Sequence, residues 1–133
     1  MSEYLVSIFS LLVLLQIKHL FADFFLQTTK MLVNRSTYAH MGRAQHAGIH
    51  AAGSGIAFVI VGAPVPFIIV TLIAEWIVHF HIDWGKAAYS KMKAYTPKMA
   101  GFWRAVGVDQ ALHHLTYVAM VVAWVIHALP QPG

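Results

Sequence analysis

The stretch EWIVHFHIDW sets Glu75, His79 and Asp83 at steps of four. The same step recurs three times elsewhere. KHLFADFFLQ carries His19 and Asp23, with Gln27 one turn further. QHAGIHAAG carries His46 and His50. VDQALHHLT carries Asp109 and His113, with His114 beside them. Residues four apart share one face of a helix. Neutral imidazoles and carboxylates at close range suit zinc, manganese, iron or nickel. The eight residues His19, Asp23, His46, His50, His79, Asp83, Asp109 and His113 are therefore expected to be metal ligands. They suffice for one or two divalent transition ions per chain, with zinc, manganese and iron the leading choices. Two ions about 4 Å apart would activate a water and clamp a transferring phosphoryl or acyl group. Glu75, one turn deeper, is expected to be the catalytic general base, with a ligating or ligand-supporting role as the alternatives. Thiolate chemistry is excluded because the chain has no cysteine.

These residues sit on elements of an unusual kind. The 133-residue chain is 59% hydrophobic and 11% charged, where soluble domains carry about 25% charge. Its apolar residues gather into four runs, about residues 4–27, 45–62, 65–84 and 104–129. Each approaches the roughly 20 residues that a helix needs to cross the hydrocarbon core, and in lipid only a helix satisfies such a backbone by itself. The expected fold is all-α: a polytopic membrane protein with four transmembrane helices in an up-down-up-down bundle, one domain over residues 1–133. A soluble four-helix bundle needs polar outer faces, and residues 5–15 and 56–73 have none. The opening MSEYLVSIFSLLVLLQ lacks the basic region of a signal peptide, so the first run is expected to be a retained helix.

Only GAPVP joins the second and third runs, whereas the first and third connections are long. All nine Lys and Arg residues lie in or beside those two long connections. The positive-inside rule then places the long loops in the cytoplasm and both termini in the periplasm of a bacterial inner membrane. The third connection, GKAAYSKMKAYTPKMAGFW, is expected to hold a short amphipathic interfacial helix. Cations that flank apolar runs read as membrane anchors and exclude a nucleic-acid face, despite a sequence pI near 9.6.

Topology and spacing then agree. The polar pairs lie at the C-terminal ends of the first and third helices and the N-terminal ends of the second and fourth. Alternating helices bring those four ends to one level, the cytoplasmic one. Lys18, Arg43, Lys86 and Arg104 are expected around the mouth, which suits a phosphate headgroup. Membrane lipid, a phosphate-bearing or lipid substrate and a second copy of the chain are the expected partners. His40, His81 and His127 lie in a loop, off the stripe and at the opposite face, and are expected to have no ligand role. His114 is left open between the two readings.

On KHLFADFFLQT, the H-x3-H of QHAGIHA, the H-x3-D of HFHID and DQALHH, the chain resembles a family of small bacterial and phage membrane proteins catalogued as domain of unknown function 3307. The likeness covers nearly the whole chain and implies fold and topology. A looser similarity, to LexA-regulated membrane-bound metal-dependent hydrolases, implies metal-dependent hydrolysis. The expected activity is hydrolysis of a phosphate- or acyl-containing substrate. A proton or divalent-metal transporter is the alternative, and a non-catalytic membrane modulator is a third reading.

Overall fold

The computed structural model describes residues 3–129. Their regular structure is entirely helical: α1 (Glu3–Phe24), α2 (Thr29–Leu32), α3 (Met41–Ile60), α4 (Val65–Met92) and α5 (Ala100–His127). The termini expected in the periplasm, residues 1–2 and 130–133, lie outside the described residues.

The corner between α3 and α4 shows why the expected tight turn forms. Gly62 adopts a left-handed φ of 73°. Its N–H donates to Val59 O (3.0 Å), and the N–H of Ala63 donates to Phe58 O (3.0 Å). These two bonds satisfy the last carbonyls of α3 in a Schellman motif. Pro64 then caps α4, and Pro66 falls in its first turn, where a missing N–H costs nothing. The chain reverses within a few residues, and α3 and α4 pack antiparallel.

α1 packs against α3 and α5, α4 packs against the same two helices, and α2 lies on α3. The four long helices thus close a ring in which α1 and α4 are diagonal, as are α3 and α5. At the end near the α3–α4 corner the interior is apolar, built from Leu11, Leu15, Phe58, Tyr117, Val121 and Trp124 among others. At the other end it is polar: His19, His46, His50, His79, Asp83, Asp109 and His113 are all buried. The outward faces of all four long helices carry exposed apolar side chains. Phe9 and Val13 of α1, Ile56 and Val59 of α3, Val70 and Ile73 of α4, and Leu115 and Ile126 of α5 are exposed.

α1 and α4 are long and apolar enough to cross a membrane. α3 and α5 have the length, at 20 and 28 residues, but their polar stripes lower their hydropathy.

The third connection differs from expectation. α4 continues past Trp84 through GKAAYSKM to Met92, because Ala, Lys and Met are good helix formers and nothing caps the helix earlier. It ends where Ala94 takes a left-handed φ of 50° and Tyr95 N–H donates to Ser90 O (3.0 Å). α5 already begins at Ala100, so the segment expected to form an interfacial helix is taken up by its neighbours. The short helix lies in the first connection instead. α2 rests on α3 at Gly42, where an added Cβ would stand 2.9 Å from Met31 Cα and 2.8 Å from the His40 ring.

Candidate metal centre

Each long helix turns one stripe inward. On α1 it reads Leu11, Leu15, His19, Ala22. On α3 it includes Arg43, His46, His50, Ser54, Ala57. On α4 it is Ile68, Thr71, Glu75, His79, Asp83, and on α5 Asp109, His113, Tyr117, Val121, Trp124. The i,i+4 step keeps each stripe on one face. Ring closure sets the four polar segments at one level. Ligand atoms of His46, His50 and His79 lie within 4.8 Å of one another, as do those of His19, Asp23 and His50, and those of His79, Asp83 and His113. Seven of the eight residues expected as ligands therefore form one continuous cluster.

The cluster has two halves of different character. Around Asp83, Oδ2 lies 3.5 Å from His79 Nε2 and 3.7 Å from His46 Nε2, and Oδ1 lies 3.6 Å from His113 Nε2. Such separations are too long for strong hydrogen bonds. They match the ligand–ligand edge of a tetrahedral site, about 3.4 Å for bonds of about 2.0–2.1 Å to zinc. Consistent with this, both nitrogens of His79, His113 Nε2 and Asp83 Oδ2 are buried with no hydrogen-bond partner. Leaving a buried polar atom unpaired costs about 1–3 kcal/mol, so His79 Nε2, His113 Nε2 and Asp83 Oδ2, one atom from each residue of a group whose ligand atoms lie within 4.8 Å of one another, form a donor set suited to a cation. His113 Nδ1 donates to Asp109 O (2.8 Å), which fixes the tautomer and leaves Nε2 with its lone pair free to ligate.

Around Asp23 the distances are those of hydrogen bonds. Oδ1 accepts from His50 Nε2 (2.9 Å) and stands 3.2 Å from His46 Nε2. Oδ2 lies 3.3 Å from His19 Nε2. His19 Nε2 also reaches Gln110 Oε1 (2.9 Å), and its Nδ1 pairs with the Tyr117 hydroxyl (2.8 Å). The imidazoles crowd one another, with ring centroids 3.9 Å apart for His50 and His79 and 4.2 Å for His79 and His113.

Two expected residues sit apart from the ligand groups. Asp109 Oδ2 accepts from Lys86 Nζ (3.1 Å) and Gln110 Nε2 (3.3 Å). Glu75 Oε1 pairs with Lys18 Nζ at 2.5 Å and accepts from Ser54 Oγ (2.9 Å), while its Oε2 is buried without a partner. Lys18 is thus inside the bundle, not at the mouth. Its ammonium bridges the diagonal to α4, donates to His50 O (3.2 Å) and sits over the Tyr117 ring. Arg43 is also buried. Its guanidinium gathers the carbonyls of Arg35, Thr37 and Tyr38 and so ties down the first connection, from which Arg35 reaches Asp83 (3.7 Å). Lys86 and Arg104 lie at the surface of this end, as expected. His40 caps α3 by accepting from Arg43 N–H (3.0 Å), and His81 pairs with the Tyr38 hydroxyl (3.0 Å). Neither faces the cluster. His127 lies at the far end of α5. His114 packs its ring 5.1 Å from that of His19, beside the cluster and outside the ligand groups.

Ser54 and Tyr117 were not foreseen, although each continues a polar stripe by one more step of four. Lys18 and Arg35 carried no such signal, because they lie off the stripes and only long side chains bring them in.

Residues 11–131 match the family described as protein of unknown function (DUF3307). The chain belongs to that family. The match covers every candidate ligand, so the His and Asp pairs of this DUF3307 member lie wholly within the family domain. No curated protein and no solved structure matches the chain, and the looser similarity to LexA-regulated hydrolases finds no support in them. Within the DUF3307 domain the site has an internal two-fold pattern. α1 with α3 supplies H-x3-D and a facing His (His19, Asp23, His50). α4 with α5 supplies the same again (His79, Asp83, His113). The partners left over differ: His46 joins the cluster, whereas its counterpart Asp109 is held by Lys86.

Proposed function

We propose that this DUF3307 protein crosses the membrane four times and holds a divalent transition ion on His79, Asp83 and His113, three protein ligands that would leave a position for water or substrate beside His46. His19, Asp23 and His50 offer a second set. The proposed activity is hydrolysis of a phosphate- or acyl-containing substrate that enters from the cytoplasmic leaflet. The observation that carries the metal reading is the meeting of three imidazole Nε2 atoms at 3.5–3.7 Å from the oxygens of one buried carboxylate. Four spans are supported by the exposed apolar faces of all four long helices and by the gathering of Lys and Arg at one end. An ion in this donor set would polarise a phosphoryl or acyl oxygen and lower the pKa of a bound water. The chain's own part is positional. Asp109 O holds the His113 tautomer, Arg35 adds positive charge beside Asp83, and Glu75 is placed to exchange a proton with the cluster through Lys18, whose Nζ lies 3.4 Å from His50 Nδ1.

A transport path would need polar groups across the whole bundle. Below Glu75 the interior is closed by Leu11, Leu15, Phe58 and Trp124, each at most 1% exposed, which favours a site over a channel. The test is elemental analysis of detergent-purified protein before and after chelation, followed by a panel of phosphoesters and acyl esters. One or two equivalents of zinc, manganese or iron, with metal-dependent turnover, is the expected result. No retained metal after reconstitution with any of the three would overturn the reading and leave a helix-packing network.

A further inference from the structure

A groove of about 860 Å³ runs along the outer seam of α4 and α5 at the polar end of the bundle. Its walls are apolar, with Ile82, Val108 and Leu112 prominent, and Lys86, Arg104 and Asp109 also line it. The size falls in the range of small-molecule sites, about 300–1,000 Å³. Tyr95 packs at one end against Gly101, where an added Cβ would meet its ring, so the glycine lets the aromatic ring close the groove.

Charge decides what fits. Of the five acidic residues, Asp23, Glu75, Asp83 and Asp109 are drawn into the bundle and its ion pairs, and Glu3 lies at the other end of α1. Arg104, Lys91, Lys93 and Lys98 therefore make no salt bridge among the described residues. The groove offers cations and apolar walls, and the carboxylate in its lining, Asp109, is buried and already holds Lys86. Asp109 is shared: it lines the groove, takes Lys86 at 3.1 Å, and through its carbonyl holds His113 (2.8 Å).

From this we infer that the α4–α5 groove binds an anionic phospholipid, with its phosphate between Lys86 and Arg104 and an acyl chain along Ile82, Val108 and Leu112. The inference deepens the hydrolase reading by naming its substrate class. It rests on that reading only for catalysis, since the groove and its charge stand without a metal. Asp109 links the two sites, lining the groove and holding His113 of the Asp83 half of the cluster.

The experiment is native mass spectrometry of the detergent-solubilised, zinc-reconstituted protein, titrated with phosphatidylglycerol, with phosphatidylethanolamine of the same chains, and with inorganic phosphate. Phosphatidylglycerol should bind at least about tenfold more tightly than phosphatidylethanolamine. Arg104→Ala should remove most of that preference. Val108→Trp, at an exposed position that fills the groove without touching the core, should weaken both lipids. Both variants should keep the parent's zinc content. Equal binding of the two lipids, or unchanged binding in both variants, would overturn the inference. So would inorganic phosphate that displaces phosphatidylglycerol at comparable concentration, since that would make the site one for free phosphate. Lipid preference with no zinc bound, and none of manganese or iron after reconstitution with each, would refute the metal reading and leave the groove standing. Zinc bound without lipid preference would do the reverse.

Discussion

Replacing Asp83 by Asn tests the metal geometry most directly. The change is nearly isosteric, so it alters charge and ligand strength while leaving packing alone. Tetrahedral structural zinc sites bind with about 10–16 kcal/mol over four ligands. One ligand's share is about 2.5–4 kcal/mol, a factor of roughly 10² to 10³ in affinity. An amide oxygen remains a weak donor, so the lower figure, about 100-fold, is expected for Asp83→Asn. Without metal the effect should reverse. The Asp83 carboxylate is only 6% exposed, its nearest permanent cation is Arg35 at 3.7 Å, and Oδ2 receives no hydrogen bond. Holding a buried carboxylate on such terms is costly. The metal-free variant should therefore unfold at the same temperature as the parent or higher. The assay is competitive zinc titration against a chromophoric chelator in detergent, with thermal unfolding of the chelated protein alongside. Asp109→Asn is the internal comparison. Because Asp109 is held by Lys86, its loss should cost less than about tenfold in zinc affinity, the low end of the effect of losing a ligand's supporting partner. A zinc affinity for Asp83→Asn within threefold of the parent would refute the reasoning. The 3.5–3.7 Å contacts would then be loose packing and not the edges of a coordination site.

Other consequences follow from the bundle. The Lys18–Glu75 pair is buried, with side chains 8% and 1% exposed, so Lys18→Met alone should destabilise by about 3–5 kcal/mol by stranding a buried carboxylate. Lys18→Met with Glu75→Gln should recover most of that, as read by denaturation in detergent, and a fully additive double variant would contradict the pairing. Ala94 holds a left-handed φ of 50° at the end of α4, and Ala94→Gly should stabilise by about 0.5–1 kcal/mol, seen as a raised unfolding midpoint; a lowered midpoint would count against the strain. The chain has no cysteine, so single-cysteine variants report topology cleanly. Val65→Cys, at an exposed position of the α3–α4 corner, should react with a membrane-impermeant maleimide in intact cells, and Ser36→Cys and Lys93→Cys only after lysis. Labelling of all three in intact cells would exclude four spans with cytoplasmic long loops.

Much of this molecule follows from local periodicity. The four-residue steps from His19 to Asp23, His46 to His50, His79 to Asp83 and Asp109 to His113 fix a common face on each helix whatever surrounds it. Short GAPVP and two long connections are enough to alternate the helices and bring those faces to one level. What no single helix contains is the rotation of its neighbours and the reach of their side chains. Ring closure set Asp83 between three imidazoles and gave Asp109 to Lys86, although both carry the same four-residue signal. The same closure drew Lys18 across the diagonal to Glu75 and wrapped three carbonyls around Arg43, two cations expected at the mouth. Long flexible side chains go where burial and hydrogen-bond partners allow, and those partners come from segments distant in sequence. Spacing therefore determined which residues face inward. The packed ring decided which of them meet with nitrogens free to hold a metal.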